Sequence, residues 1–146
     1  MIDHAQLKAE ILTDPQGLGY AALWESGDDL GLLAILNDKA LGGTISRLYI
    51  TAAELQGAMD PTEFAAFSAA FIARWQCFLM VTMASLPIAT GNLKQQLLAM
   101  FPNSAGTANS RANLIALQSR AGSRIEALFG DGIVASGEDI IKARVA

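Results

Sequence analysis

Apolar residues three and four positions apart recur along most of this chain, interrupted by short groups of turn-forming residues. In the first segment Leu7, Ile11 and Leu12 fall on one stripe, and the Asp3 carboxylate can accept hydrogen bonds from the amides of a first helical turn. The pattern ends at Pro15, because proline disfavours helical backbone at the residue before it. The sequence therefore predicts an amphipathic helix that starts at Asp3 and stops before Pro15.

The stretch "ILTDPQGLGYA" raises the question of whether its glycine pair holds a ligand or only turns the chain. A phosphate loop of the Walker or Rossmann type follows a strand and carries either Lys-Ser/Thr or a third glycine. Here a helix precedes the glycines and no lysine follows them. Gly17 and Gly19 are therefore predicted to complete a turn at positive φ, after which helical pattern resumes at Tyr20 and breaks at Gly27.

The segment "DDLGLLAILND" predicts a third helix, which "LGG" ends. Asp28 or Asp29 is expected to cap it, and Leu30, Leu33 and Ala34 are expected to form its inner face.

Residues 44–50, "TISRLYI", alternate and are rich in β-branched side chains, which predicts the one extended segment of the chain. A lone strand does not stand unpaired. We expect either a short extended connector or an edge strand that pairs with another subunit.

Two capping boxes follow, and each marks a helix start. "TAAE" runs from Thr51 to Glu54, and "DPTE" runs from Asp60 to Glu63 with Pro61 at the first helical position. The second box opens a long apolar helix that is expected to end near "SLPIATGN".

Within that helix, spacing of three and four predicts one buried aromatic face around Trp75. Arg74 must then point away from this face, toward solvent or a partner's carboxylate. The face comprises Phe64, Phe67, Phe71, Trp75, Phe78 and Leu79.

Further start signals complete the helical pattern. They are Asn92 before "LKQQLLAMF", Thr107 or Asn109 after a loop, Ser123 before a short helix to Phe129, and Ser136 with Asp139 for a final helix. The sequence thus predicts a single all-α domain over residues 1–146, a compact bundle of about seven or eight short helices with at most one short extended segment.

Composition adds an expectation of subunit contacts. Apolar residues make up 52% of the chain and charged residues only 16%, below the roughly 25% of an ordinary soluble domain. The formal net charge is -4 and lysines and arginines are not clustered, so nucleic acid recognition is not expected.

Neither a membrane span nor a secretory signal is expected. Arg74 and Gln76 interrupt the apolar run of residues 64–89, where a central arginine is costly. The N-terminal "MIDHAQLKAEIL" lacks the basic and apolar regions of a signal peptide. The protein is therefore expected to be made and kept in the cytoplasm.

Two residues with reactive side chains stand alone in sequence. His4 is the only histidine, and without a second ligand nearby it is expected to be a solvated first-turn residue. Cys77 is the only cysteine, and within the most apolar helix it is expected to be a small core side chain with a raised pKa.

The remaining charged residues are assigned structural roles. The acidic groups Asp28/Asp29, Asp60/Glu63 and Glu138/Asp139 fall at helix starts, where capping accounts for them. The arginines are expected on solvated surface, with a few anchoring subunits: Arg47, Arg74, Arg111, Arg120, Arg124 and Arg144. We therefore predict no enzyme, and no catalytic, cofactor-binding or metal-ligating residues.

Three stretches carry a family resemblance that spans most of the chain: "LKAEILTDPQGLGYAAL", "AELQGAMDPTEFAAF" and "SRIEALFGDGIVASGEDIIKAR". They resemble a family of small proteins encoded among the structural genes of tailed bacteriophages and prophages. The middle of the chain is similar only in spacing and character. The resemblance implies a virion structural protein without enzymatic activity, most naturally a head-tail connector or adaptor in the neck.

Under this resemblance the expected partners are portal, neck or tail proteins, and the expected assembly is a homo-oligomeric ring. Two alternatives remain open at this stage. One is a capsid decoration or tail subunit, and the other is a soluble binding or chaperone module outside the virion, in which the apolar segment 64–89 covers a client protein.

Overall fold

The computed structural model describes residues 1–81, 86–87 and 91–146, and this part of the chain is mostly helical. Its helices are α1 (His4–Thr13), α2 (Tyr20–Ser26), α3 (Asp29–Asn37), α4 (Ala52–Gly57), α5 (Pro61–Ala66), α6 (Ala69–Val81), α7 (Gly91–Met100), α8 (Ala108–Ala116), α9 (Arg124–Phe129) and α10 (Gly137–Val145). The predicted all-α character is confirmed in its main feature, although ten helices exceed the expected seven or eight.

Short strands are more numerous than expected. The described residues contain β1 (Thr44–Ser46), β2 (Tyr49–Ile50), β3 (Leu86–Pro87) and β4 (Ser119–Ala121). Strand β1 pairs with β4, and β2 pairs antiparallel with β3. The expectation of at most one extended segment is wrong, and so is that of a lone strand, because β1 and β2 both pair within the chain. Pairing of an edge strand with another subunit stays a prediction. Residues far along the chain supply the backbone partners that "TISRLYI" needs.

Contacts within the chain divide it into two compact units. Unit 1 comprises Met1–Ile45 and Ala121–Ala146, and unit 2 comprises Ser46–Arg120. The expectation of one domain stays a prediction.

Unit 1 joins both ends of the chain around one apolar core. Helix α1 packs against α2 and α10, and α3 packs against α2, α9 and α10. The buried residues of this core are Leu7, Ile11, Tyr20, Leu32, Leu36, Ile125, Ala135, Ile140 and Ala143.

The expected inner face of α3 is wrong. Leu32 and Leu36 are buried, whereas Leu30 and Ala34 are exposed and Leu33 is only partly buried. Because α3 is apolar nearly all round, more than one stripe satisfies helical spacing, and packing against neighbouring helices selects the stripe.

Unit 2 has an aromatic core that confirms the predicted face of α6. Trp75 is 0% exposed, its ring stacks on Phe78, and it meets Phe101 edge-on. Its indole N–H donates to Gln56 Oε1 over 2.8 Å. Phe64, Phe67, Phe71, Phe78 and Leu79 pack against this core, and Arg74 is exposed as predicted.

The long apolar helix is interrupted, which accounts for one of the extra helices. Helix α5 ends at Ala66, Phe67 takes an extended conformation, and α6 begins at Ala69. The Ser68 hydroxyl accepts a hydrogen bond from the Phe71 amide, so a local serine cap restarts the helix. The end predicted near "SLPIATGN" falls partly outside the described residues.

The predicted helix caps are largely confirmed. Side chains of Asp3, Asp28, Thr51, Ser123 and Ser136 accept from first-turn amides. Two predictions differ. Helix α7 begins at Gly91, so Asn92 lies inside it, and Thr107 precedes α8 without a capping hydrogen bond from its side chain.

Candidate functional site

The glycine pair of "ILTDPQGLGYA" forms a turn, as predicted. Gly17 has φ +67° and Gly19 has φ +88°, both in the left-handed region that favours glycine. Asp14 also enters this region, with φ 39°, and so avoids the right-handed helical backbone that Pro15 disfavours. The chain thereby turns between α1 and α2, which pack against each other.

The free amides of this turn are occupied by the chain itself. The Asp14 carboxylate accepts hydrogen bonds from the amides of Leu18 and Gly19, each over 2.8 Å, and from Tyr20 over 3.3 Å. Desolvation opposes ionisation, but these backbone hydrogen bonds outweigh it and lower the pKa of Asp14. An internal carboxylate therefore stands where a phosphate would bind.

A buried ion pair lies beside this turn and was missed from the sequence. Arg124 Nε and Nη2 donate to the two carboxylate oxygens of Glu10 over 2.6 and 2.9 Å. Their side chains are 16% and 7% exposed. Burial and the charge of Glu10 raise the pKa of the neighbouring Tyr20 to about 12, which keeps the phenol neutral.

His4 is not the solvated residue that its position suggested. Its Nε2 lies 3.0 Å from Asp139 Oδ1 on α10, and both side chains are partly buried. Burial opposes ionisation of Asp139, but hydrogen bonds from Ser136 and His4 lower its pKa to about 2. The histidine therefore ties the first helix to the last.

Glu63 lies in the first turn of α5 but accepts hydrogen bonds from the start of α8. Asp60 caps α5 as predicted, but the buried Glu63 carboxylate accepts from the Asn109 and Ser110 amides of α8, each over 2.8 Å. These hydrogen bonds outweigh desolvation and lower the pKa of Glu63. The expectation that local capping explains this acid is wrong, because its partners are 46 and 47 positions away.

Four arginines expected on solvated surface instead hold elements together. Each is only partly exposed and makes directed hydrogen bonds. Arg47 binds Glu54, Arg111 binds the carbonyl oxygens of Leu98 and Phe101, Arg124 binds Glu10, and Arg144 binds Asp29 while stacking over Trp24. These contacts suit the forked donor geometry of guanidinium.

Cys77 is exposed, so its prediction as a core side chain is wrong. It lies two positions after Trp75, which places it on nearly the opposite side of α6. An apolar helix can therefore present a thiol to solvent when its aromatic side chains take the core.

A surface groove of about 310 Å³ runs beside α6 and α7 in unit 2. It is lined by Arg74, Phe78, Gln96, Ala99 and Met100. Among the described residues, Arg74 has no ion-pair partner, unlike Arg47, Arg124 and Arg144. The groove thus combines apolar side chains with an exposed cation.

Across residues 1–81, 86–87 and 91–146, three or more His, Cys, Asp or Glu side chains nowhere gather in a metal-binding arrangement. In those same ranges, none of the helices combines the length and apolar character that crossing a bilayer requires.

We compared the chain with models of protein families, with curated proteins and with solved structures, and none of these comparisons gave a match.

Proposed function

We propose that this chain is a structural subunit of a tailed-bacteriophage virion, made in the host cytoplasm and assembled as a head-tail connector or adaptor in the neck. Its partners in this role are the portal, neck or tail proteins, and its own copies form a ring. The role requires no catalytic residues and no cofactor, in keeping with the sequence interpretation.

The observation that carries the proposal is the joining of the two stretches with the strongest resemblance. "LKAEILTDPQGLGYAAL" and "SRIEALFGDGIVASGEDIIKAR" stand at opposite ends of the chain, yet both lie in unit 1. Glu10 of the first stretch binds Arg124 of the second stretch. His4, which lies just before the first stretch, binds Asp139 of the second stretch. The resembling residues thus form one folded module, which supports a shared structural role.

An outward apolar face on α10 supports contacts with other subunits. Ile141 and Val145 are one helical turn apart and are 60% and 82% exposed. In a ring, a neighbouring subunit would cover such a face.

One observation bears on the non-virion alternative. That role depends on the apolar segment 64–89 covering a client protein, but the aromatic face of α6 packs into the core of unit 2. The face is therefore occupied by the chain's own residues, which favours the virion role.

Quantitative mass spectrometry of purified particles tests the proposal. We expect the protein in virions at the same copy number as the portal protein. A copy number far above this favours a decoration or tail subunit. Complete absence from particles contradicts a virion role, and co-purification with one non-virion phage protein would then support the binding-module alternative.

A further inference from the structure

The groove of unit 2 has the chemistry of a site for an apolar side chain accompanied by a carboxylate. Phe78, Ala99 and Met100 give it apolar walls, and Arg74 and Gln96 give it polar groups. The Arg74 side chain is exposed, and its guanidinium lacks an ionic partner in the described part of the chain. A carboxylate brought to the groove would compensate this charge.

The two units of the chain differ in charge. Unit 1 contains eleven acidic and five basic residues, a formal charge of -6, whereas unit 2 contains three acidic and five basic residues, a formal charge of +2. Unit 1 of one copy is therefore electrostatically complementary to unit 2 of another copy.

Unit 1 also displays an exposed apolar side chain close in sequence to two exposed acidic residues. Leu30, in the first turn of α3, is 81% exposed. Asp28 and Glu25 are exposed close to it in sequence, and Glu25 has no ionic partner among the residues the structure describes. Asp28 uses Oδ1 to cap the Gly31 amide, and its other carboxylate oxygen accepts no hydrogen bond from the residues that the structure describes.

We propose that the Arg74 groove binds Leu30 of a second copy of this chain, with the carboxylates of Glu25 and Asp28 of that copy facing Arg74. The contact joins different surfaces of two copies, so it repeats from copy to copy and closes into a ring where the rotation permits. The inference goes beyond the virion role, because it concerns self-association of the purified protein and holds whether or not particles contain it.

Sedimentation of purified full-length protein over a concentration series tests the contact. We expect concentration-dependent self-association that weakens as salt is raised, since the charged groups are exposed. Arg74→Glu and Leu30→Ser should each raise the dissociation constant roughly tenfold or more. Both side chains are exposed, so both variants should retain the wild-type melting temperature.

Mixing the two variants distinguishes this contact from other modes of association. Arg74→Glu keeps an intact Leu30, and Leu30→Ser keeps an intact groove. An equimolar mixture should therefore form a dimer that neither variant forms alone and that does not grow further. A contact between two copies of the same groove would give no such rescue.

Two exposed residues of unit 1 provide matched controls. Lys39→Glu changes the net charge as Arg74→Glu does, and Leu12→Ser removes another exposed leucine. Neither should weaken association. The proposal is overturned if the wild type stays monomeric at all concentrations, if the test variants associate as the wild type does, if the controls weaken association equally, or if the mixture forms no dimer.

Discussion

Glu10 and Arg124 lie 114 positions apart in the chain, yet their side chains meet in a two-pronged ion pair with distances of 2.6 and 2.9 Å. The pair is largely buried and joins α1 to α9. Removing either partner leaves the other charge without compensation in a desolvated site. The free energy of unfolding should therefore fall more than it does when an exposed ion pair is broken.

We expect Arg124→Ala to lower the free energy of unfolding by about 3–5 kcal/mol, measured by denaturant titration. Lys142→Ala is the matched control, because Lys142 and Glu138 form an ion pair that is mostly exposed. That control should change stability by less than about 1 kcal/mol. If the two changes lowered the free energy of unfolding equally, burial would not increase the contribution of the Glu10–Arg124 pair to stability.

The turn between α1 and α2 depends on backbone conformation. A Cβ added at Gly17 or Gly19 would meet no atom within 4 Å, so strain at positive φ is the only cost. Gly17→Ala and Gly19→Ala should each lower stability by about 1–2 kcal/mol. Inorganic phosphate and nucleotides should leave the wild-type melting temperature unchanged, because Asp14 occupies the turn amides.

Gly57→Ala is the control for these glycine changes. Gly57 ends α4, has no positive φ, and has equally open surroundings. Alanine there should leave stability unchanged or raise it by up to about 1 kcal/mol. Stability that is unchanged in both turn variants would contradict the turn assignment.

Truncation to alanine should lower stability strongly at Trp75 and hardly at all at its neighbour Arg74. Trp75→Ala removes a buried ring and a hydrogen bond to Gln56, which should cost about 3–5 kcal/mol in thermal or denaturant unfolding. Arg74→Ala should stay within about 0.5 kcal/mol of the wild type, since the side chain is exposed. If Arg74→Ala unfolded while Trp75→Ala stayed stable, the buried and exposed faces assigned to α6 would be wrong.

Acid should weaken the link between α1 and α10. The pKa of Asp139 falls from 3.8 to about 2 in the folded chain, so the unfolded chain takes up the proton first. The ionised Asp139 side chain therefore contributes roughly 2 kcal/mol to the free energy of unfolding. This contribution is present at pH values above the pKa of the unfolded chain and is lost as the pH falls through the pKa of the folded chain.

Asp139→Asn tests this contribution. The difference in melting temperature between wild type and variant should be large near neutral pH and should shrink steadily between about pH 5 and pH 2. A difference that stays constant over this range would contradict the assignment.

Features encoded in a few neighbouring residues were predictable from the sequence. Asp3, Thr51 and Ser136 mark helix starts because a capping bond needs only a side chain and an amide two or three positions later. Gly17 and Gly19 identify a turn because few other residues adopt positive φ. The aromatic face around Trp75 was predictable because Phe71, Trp75 and Phe78 share a single stripe of α6.

Features that depend on distant partners were decided by the tertiary structure. Spacing alone could not choose Leu32 over Leu30 on α3, because an apolar helix offers several faces and the neighbouring helices determine which is buried. Glu63 and Arg124 each resemble ordinary surface charges in sequence, yet each binds a group more than forty positions away. Such pairs form only after the chain has folded, since the energy of a charge depends on the burial and hydrogen bonds that surround it.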